Sequence, residues 1–169
     1  MYIVPEFIVC GKSEVKKTAK KFAATHLLST LDPGDWVFRP PRIDGQNHLQ
    51  LWFDDEEDLT KANAPTIQHA KTILEWGSKL PEDARVVVHC FAGACRSTAI
   101  AMALWLQHNG TKDLQGAAKW IKEIRPQACP NLLLAQHFDT LLGHDGQFVS
   151  LCSDVGIDTI NRQWKINNP

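Results

Sequence analysis

The stretch at residues 85–101, R-V-V-V-H-C-F-A-G-A-C-R-S-T-A-I-A, restricts the possible folds more than any other part of the chain. An apolar β-branched run (residues 86–88) ends in a tight loop holding Gly93, and a helix-forming run (residues 97–107) follows it. Strand, loop and helix N-terminus in that order make an anion cradle. The loop N–H groups converge, and the helix dipole adds about half a positive charge where they meet. A phosphate dianion suits such a cradle, and Cys90 lies at its floor.

Each position in the run has a chemical use. A free thiol titrates near ~8.5, and a helix N-terminus, a guanidinium and a neighbouring imidazole all favour the thiolate, so Cys90 is expected to be a nucleophile aimed at phosphorus. The planar fork of Arg96 can take two phosphoryl oxygens at once and meet the charge that spreads over them in the transition state. Gly93 permits backbone geometry that a Cβ would obstruct. Ser97 can donate its hydroxyl to the Cys90 sulfur and make it a better leaving group, while His89 is expected to fix the loop rather than shuttle protons. The phosphate-binding loop is then Phe91, Ala92, Gly93, Ala94, Cys95 and Arg96.

A buried strand ending in Cys, followed by a helix capped by Ser97, accounts for the same letters but leaves Arg96 without a purpose. A metal site is weaker still, because Cys90 and Cys95 have four residues between them and no second Cys or His pair stands at ligand spacing. No metal and no cofactor is expected.

At these residues the chain resembles the cysteine-dependent protein tyrosine and dual-specificity phosphatase superfamily, whose loop reads H-C-x-x-G-x-x-R-[ST]; here that pattern is complete. Three segments, H-L-Q-L-W-F-D-D (residues 48–55), H-C-F-A-G-A-C-R-S-T-A (residues 89–99) and P-Q-A-C-P-N (residues 126–131), resemble small bacterial proteins described as predicted protein tyrosine phosphatases. The resemblance implies a single α/β domain and a phosphomonoester hydrolase working through a cysteinyl-phosphate.

Such chemistry needs an acid to protonate the departing alkoxide or phenoxide. The superfamily places an Asp on a loop some thirty to forty residues before the Cys, and the segment ending in Asp55 aligns best; Asp54 and Asp58 are the alternatives within an acidic run that is otherwise a solvated loop. Asn131, after Pro130 and before an apolar run, reads as a helix N-cap. The resemblance adds that it packs near the phosphate loop and bonds its backbone.

The substrate is narrowed only in part. The loop holds no Lys, which favours phosphotyrosine or a phosphoprotein over an inositol phosphate or phosphoinositide and leaves a small phosphorylated metabolite open. A catalytically inactive phosphate-binding module is the reading from another class. It has no use for an activated thiol and an acid. A formal charge of −1 and a pI near 6.6 leave no nucleic-acid footprint. The lysines at 12, 16, 17, 20 and 21 read as the solvated face of an amphipathic helix, with a docking patch for an anionic partner as the alternative.

Five cysteines, an odd count, and no charged start followed by an apolar stretch point to a reducing compartment, the cytoplasm, and no membrane insertion is expected. Cys10 and Cys152 read as core residues and Cys129 as a loop residue; Cys95 reads as a small filler, or as a partner for oxidised Cys90.

Strands are expected at residues 2–4, 7–10, 26–31, 48–53 and 86–90, and helices at 13–24, 65–80 with Pro65 in the first turn, 97–108, 111–124 and 131–143. Their alternation predicts a mostly parallel sheet covered on both faces. The catalytic domain is expected to span residues 1–155, with 156–169 a polar, loosely held tail anchored by Trp164. Trp76, Trp105 and Trp120 read as core, Trp52 as pocket wall, and Trp36 and Phe38 as a substrate-facing rim.

Overall fold

A computed structural model describes residues 3–168. Four parallel strands, β1 (Glu6–Gly11), β2 (His26–Leu31), β3 (His48–Trp52) and β4 (Arg85–Cys90), form one sheet in the order β1-β4-β2-β3. Six α-helices surround it: α1 (Val15–Phe22), α2 (Ile67–Gly77), α3 (Arg96–Asn109), α4 (Leu114–Ile124), α5 (Leu132–Leu142) and α6 (Gln147–Asn167). This is the predicted single α/β domain, with helices on both faces.

The central position of β4 follows from its composition. Val86, Val87 and Val88 are fully buried, as a strand in a parallel sheet covered on both sides must be. Val87 packs with Cys10, Leu27, Ile43 and the Val15 and Ala19 face of α1, whereas Val86 and Val88 face the larger core built around α3. Helix α3 is buried on most of its circumference, since α2, α4 and α5 pack around it and β1 and β4 lie beneath. Trp105 and Trp120 stack across α3 and α4 at 6.0 Å, half-buried at the edge of this core with Trp76.

Several element boundaries differ from the sequence expectation. The first helix opens as a 3-10 turn at Lys12–Glu14 and ends at Ala23, which is left-handed (φ 54°). Pro65 lies before the α2 cap rather than in its first turn: Thr66 is the N-cap, its hydroxyl taking the His69 N–H while His69 Nδ1 takes the Thr66 N–H. Helix α4 starts at Leu114 because Asp113 caps it by accepting from Gly116 N–H at 3.0 Å. Tyr2 of the expected first strand lies outside the described residues, and Ile3 and Val4 join no sheet.

The largest difference is at the C-terminal end. Residues 156–167, expected as a loosely held tail, continue α6. Phe148, Leu151, Cys152, Val155 and Thr159 are buried, and Thr159 donates its hydroxyl to the Ala128 carbonyl at 2.6 Å. Trp164 is exposed and anchors nothing. Among the described residues no helix is long and apolar enough to cross a membrane.

Candidate active site

The end of β4 delivers Cys90 to the sheet's C-terminal edge, and α3 begins six residues later at Arg96. Between them the chain turns tightly enough that Gly93 takes φ +68°, and a Cβ there would sit 2.4–2.5 Å from the backbone of Cys10 and Gly11. No other residue fits that position.

The Cys90 sulfur, buried at the floor, receives the Gly93 N–H at 3.2 Å and lies 3.1 Å from the Ser97 hydroxyl. Arg96 is only 3% exposed. One terminal nitrogen, Nη1, donates to the Phe53 carbonyl at 2.7 Å and lies 2.7 Å from Asp32 Oδ1 in an ion pair, which fixes the guanidinium; its Nε has no hydrogen-bond partner among the described residues. A buried donor left without an acceptor is costly unless a ligand meets it.

The loop is held from outside through its carbonyls. Lys12 N–H donates to Phe91 O at 3.0 Å, Arg125 Nη2 to Ala92 O at 3.0 Å and Arg125 Nε to Gly93 O at 2.8 Å. Cys129 N–H donates to Ala94 O at 2.9 Å and Asn131 N–H to Cys95 O at 3.2 Å, while the Thr98 hydroxyl bonds both of these carbonyls. With all five carbonyls of residues 91–95 engaged outward, the peptide planes turn their N–H groups the other way. Arg125 is itself fixed by Glu14 at 3.0 Å, whose carboxyl is held below its ordinary value by the Gly11 N–H and by Arg125.

His89 is wholly buried beneath the loop. Its Nδ1 faces the Cys90 carbonyl at 3.3 Å, so Nδ1 carries the proton; Nε2 then accepts from Ser29 Oγ at 2.7 Å, and Ser29 in turn accepts from His48 Nε2 at 2.8 Å. Accepting at Nε2 while donating from Nδ1 requires a neutral His89 ring. Burial first, opposed by the bond to the Cys90 carbonyl, holds His89 down to about 4; burial and the Arg39 charge bring His48 to about 4.

Of the three acid candidates, only Asp55 meets the phosphate loop. Asn131 Nδ2 donates to Asp55 Oδ1 at 2.8 Å and to the Glu56 carbonyl at 3.0 Å, and the Asn131 N–H bonds the Cys95 carbonyl of the phosphate loop at 3.2 Å. Asp58 is spent on a local turn, accepting from the Thr60 N–H and hydroxyl at 2.9 and 2.7 Å. Asp54 makes no side-chain hydrogen bond among those described, and Glu57 accepts from Leu132 N–H at 2.8 Å at the start of α5. Asn131 also caps α5, its Oδ1 accepting from Leu134 N–H at 2.9 Å. It therefore joins helix, phosphate loop and acidic loop.

Burial, then the Asp55 charge, pushes the Cys95 thiol up to about 12. It stays protonated and lies against Cys129. Trp36 and Phe38 are exposed beside the loop residue Phe91 in one shallow cavity. Trp52 donates its indole N–H to the Asp35 carbonyl at 2.9 Å and so braces the segment after β2.

Asp32, Arg125, Glu14, Ser29 and His48 have no signature in the sequence that ties them to the loop. Each comes from an element distant in the chain. The only available signal was indirect: a buried Arg96 requires a carboxylate partner.

The sequence profile of the dual specificity phosphatase catalytic domain matches residues 9–140. The chain is 30% identical over 124 residues to dual specificity protein phosphatase 1 of Arabidopsis thaliana, a match covering 69% of this chain and 54% of that protein, so the chain spans about half the relative's length. The crystal structure of human DUSP28 shares the fold, with a TM-score of 0.63 at 18% identity over 84% of this chain and 94% of that one. The Yvh1 phosphatase domain from Chaetomium thermophilum does likewise, with a TM-score of 0.60 at 23% identity over 84% and 93%. The matched span runs from β1 into α5 and so carries Cys90, Arg96, Asp55 and Asn131 together; on that ground the chain belongs to the dual specificity phosphatase catalytic-domain family.

Proposed function

We propose that the chain hydrolyses phosphomonoesters of proteins, phosphotyrosine above all, through a phosphocysteine at Cys90 and without a metal. The observation that carries this reading is the state of the Cys90 sulfur: it receives an N–H from Gly93, touches the Ser97 hydroxyl, and sits in the cradle that a clamped Arg96 closes with an unpartnered Nε.

In the first step the Cys90 sulfur attacks phosphorus in line and the ester oxygen leaves. Arg96 Nε and the N–H groups of residues 91–96 hold the three non-bridging oxygens, where charge accumulates. Asp55 gives its proton to the departing oxygen. In the second step Asp55 takes a proton from water as the water oxygen attacks the phosphocysteine, and Ser97 donates to the sulfur as the S–P bond breaks. His89 serves through the loop by fixing the Cys90 carbonyl. The absence of Lys from residues 91–95 supports a singly phosphorylated group over a polyphosphorylated inositol. Five free cysteines, one of them the nucleophile, support a reducing compartment such as the cytoplasm.

Hydrolysis of an aryl phosphate in the presence of a metal chelator tests the reading. Full activity is expected, with inhibition by vanadate through the same donors. Activity that vanishes with chelator and returns with zinc or magnesium would overturn the mechanism.

A further inference from the structure

Two shallow cavities lie end to end beside the phosphate loop. The nearer, about 500 Å³, is bounded by Lys12, Lys16, Trp36, Val37, Phe38 and Phe91. The farther, about 490 Å³, is bounded by Lys16, Lys20, Phe38, Pro40, Pro41 and Arg42. Lys16 and Phe38 belong to both, so the two form one trough. It opens at Phe91, a residue of the phosphate loop itself.

The trough combines two chemistries. Its aromatic members are exposed to a degree unusual for their type: Trp36 at 72%, Phe91 at 65% and Phe38 at 48%. Three of its four cations are free of ion pairs among the described residues. Lys12 is paired with Asp35, but among the described residues Lys16, Lys20 and Arg42 make no ion pair. Lys16 and Lys20 are one turn apart on α1, above the Val15 and Ala19 face that the core covers. A solvated helix face explains the lysines alone. It does not explain three bare aromatic rings lining the same channel.

Resting on the protein-phosphatase reading above, we propose that this trough seats the peptide flanking phosphotyrosine, with an apolar side chain against Trp36, Phe38 and Phe91 and acidic residues against Lys16, Lys20 and Arg42. Lys12 touches the phosphate loop through its N–H to Phe91 O, and Lys20 lies eight positions farther along the same helical segment, about 12 Å at ~1.5 Å per residue. An extended peptide covers that span in three to four residues at ~3.3 Å each. Acidic residues three and four positions from the phosphotyrosine, on one side of it, are therefore the ones that count. The rings and ammonium groups bound a cleft, which suits a strand of peptide better than a membrane plane.

The test compares phosphotyrosyl peptides identical except for Glu or Lys at the third and fourth positions, placed on either side. On one side kcat/KM is expected to favour Glu by about tenfold. The triple variant Lys16→Glu, Lys20→Glu, Arg42→Glu should reverse that preference while leaving turnover of a small aryl phosphate unchanged, which also shows that it has folded. Turnover of all peptides at one rate, or a Glu preference that survives the triple substitution, overturns the trough but leaves the protein-phosphatase reading standing. Turnover of the aryl phosphate with no turnover of any peptide overturns both. Sedimentation with phosphatidylserine vesicles that the triple variant abolishes, alongside equal rates on all peptides, would assign the surface to a membrane instead.

Discussion

The phosphate loop and the acidic loop face the same site but are held in opposite ways. Every carbonyl of residues 91–95 is bonded outward, to donors from the β1–α1 connection, Arg125, the segment before α5 and Thr98, and the sulfur and guanidinium inside are buried. The acidic loop carries Asp55 at the exposed surface and is tied down through Asn131 and Glu57 to the start of α5. Donors that stabilise a transition state work because they need no reorganisation when charge develops. A proton donor for the leaving group must instead meet each new substrate from solvent. The contrast predicts a hierarchy of losses when each loop is disturbed.

The largest loss belongs to the buried side. Cys90→Ser should cost on the order of 10⁴-fold or more in turnover yet keep vanadate binding, since only the nucleophile is gone. Arg96→Ala should lose both. It should change stability only slightly, by about 1 kcal/mol, because Asp32, the partner left behind, is half-exposed and solvated. Steady-state rates, vanadate titration and urea unfolding check all three. A Cys90→Ser protein retaining more than about a hundredth of wild-type rate would misassign the nucleophile.

Next comes the exposed side. Asp55→Asn should slow phosphotyrosine hydrolysis by roughly 10²- to 10⁴-fold, the usual contribution of a positioned acid. The loss should shrink on an aryl phosphate whose anion departs unprotonated, whereas phenolate, with a pKa near ~10, needs the proton. Asp54→Asn and Asp58→Asn should change either rate only a few-fold. If Asp58→Asn shows the leaving-group dependence and Asp55→Asn does not, the acid is three residues from where the geometry puts it.

The same contrast explains what was legible in the sequence. The phosphate loop is contiguous, so its spacing alone identified Cys90, Gly93, Arg96 and Ser97. Asp55 was favoured over Asp54 and Asp58 by the resemblance of its segment; in the structure Asp58 accepts from the Thr60 N–H and Asp55 from Asn131 Nδ2. Arg125, Asp32 and Ser29 reach the loop by return of the chain, and no local pattern records that. Helix α6 was misread for another reason. The polar composition of residues 156–169 suggested a tail, yet the helix that buries Phe148, Leu151, Cys152 and Val155 runs on through that stretch, where it buries Gly156 and Thr159 and leaves residues 160–167 exposed.

Arg125 tests whether anchoring from behind matters at all. Its two bonds to loop carbonyls are charge-assisted, each worth roughly 1.5–3 kcal/mol, and losing even part of that when phosphate binds corresponds to a ten- to hundredfold drop. Arg125→Leu should show such a drop in kcat/KM and a similar weakening of vanadate binding. The drop should be equal for phosphotyrosine and for the activated aryl phosphate, since Arg125 acts through the loop and not through the acid. Arg125→Lys, which keeps the charge but not the fork, should recover part of it. A leaving-group dependence like that of Asp55→Asn would show that Arg125 does something other than position the loop.

The smallest effect near neutral pH is the one carried by His89. Burial holds its folded value at about 4 against 6.5 for the free side chain. Between those values the unfolded chain binds a proton on this ring that the folded chain does not, so stability rises with pH across the window and is lost as pH falls through it. The loss from this group alone is negligible at pH 7, a little over ~1 kcal/mol by pH 5.5 and about 3 kcal/mol by pH 4. His26, His48, His69 and His108 are also held below their ordinary value, all first by burial, so the wild-type slope should exceed one proton. His89→Gln should reduce that slope by about one proton between pH 4.5 and 6, whatever the substitution costs in absolute stability. Urea unfolding across this range measures the slope directly. Equal slopes in the two proteins would mean that His89 is not the neutral, Nδ1-protonated support beneath Cys90, and the relay through Ser29 to His48 would have to be redrawn with a charged ring.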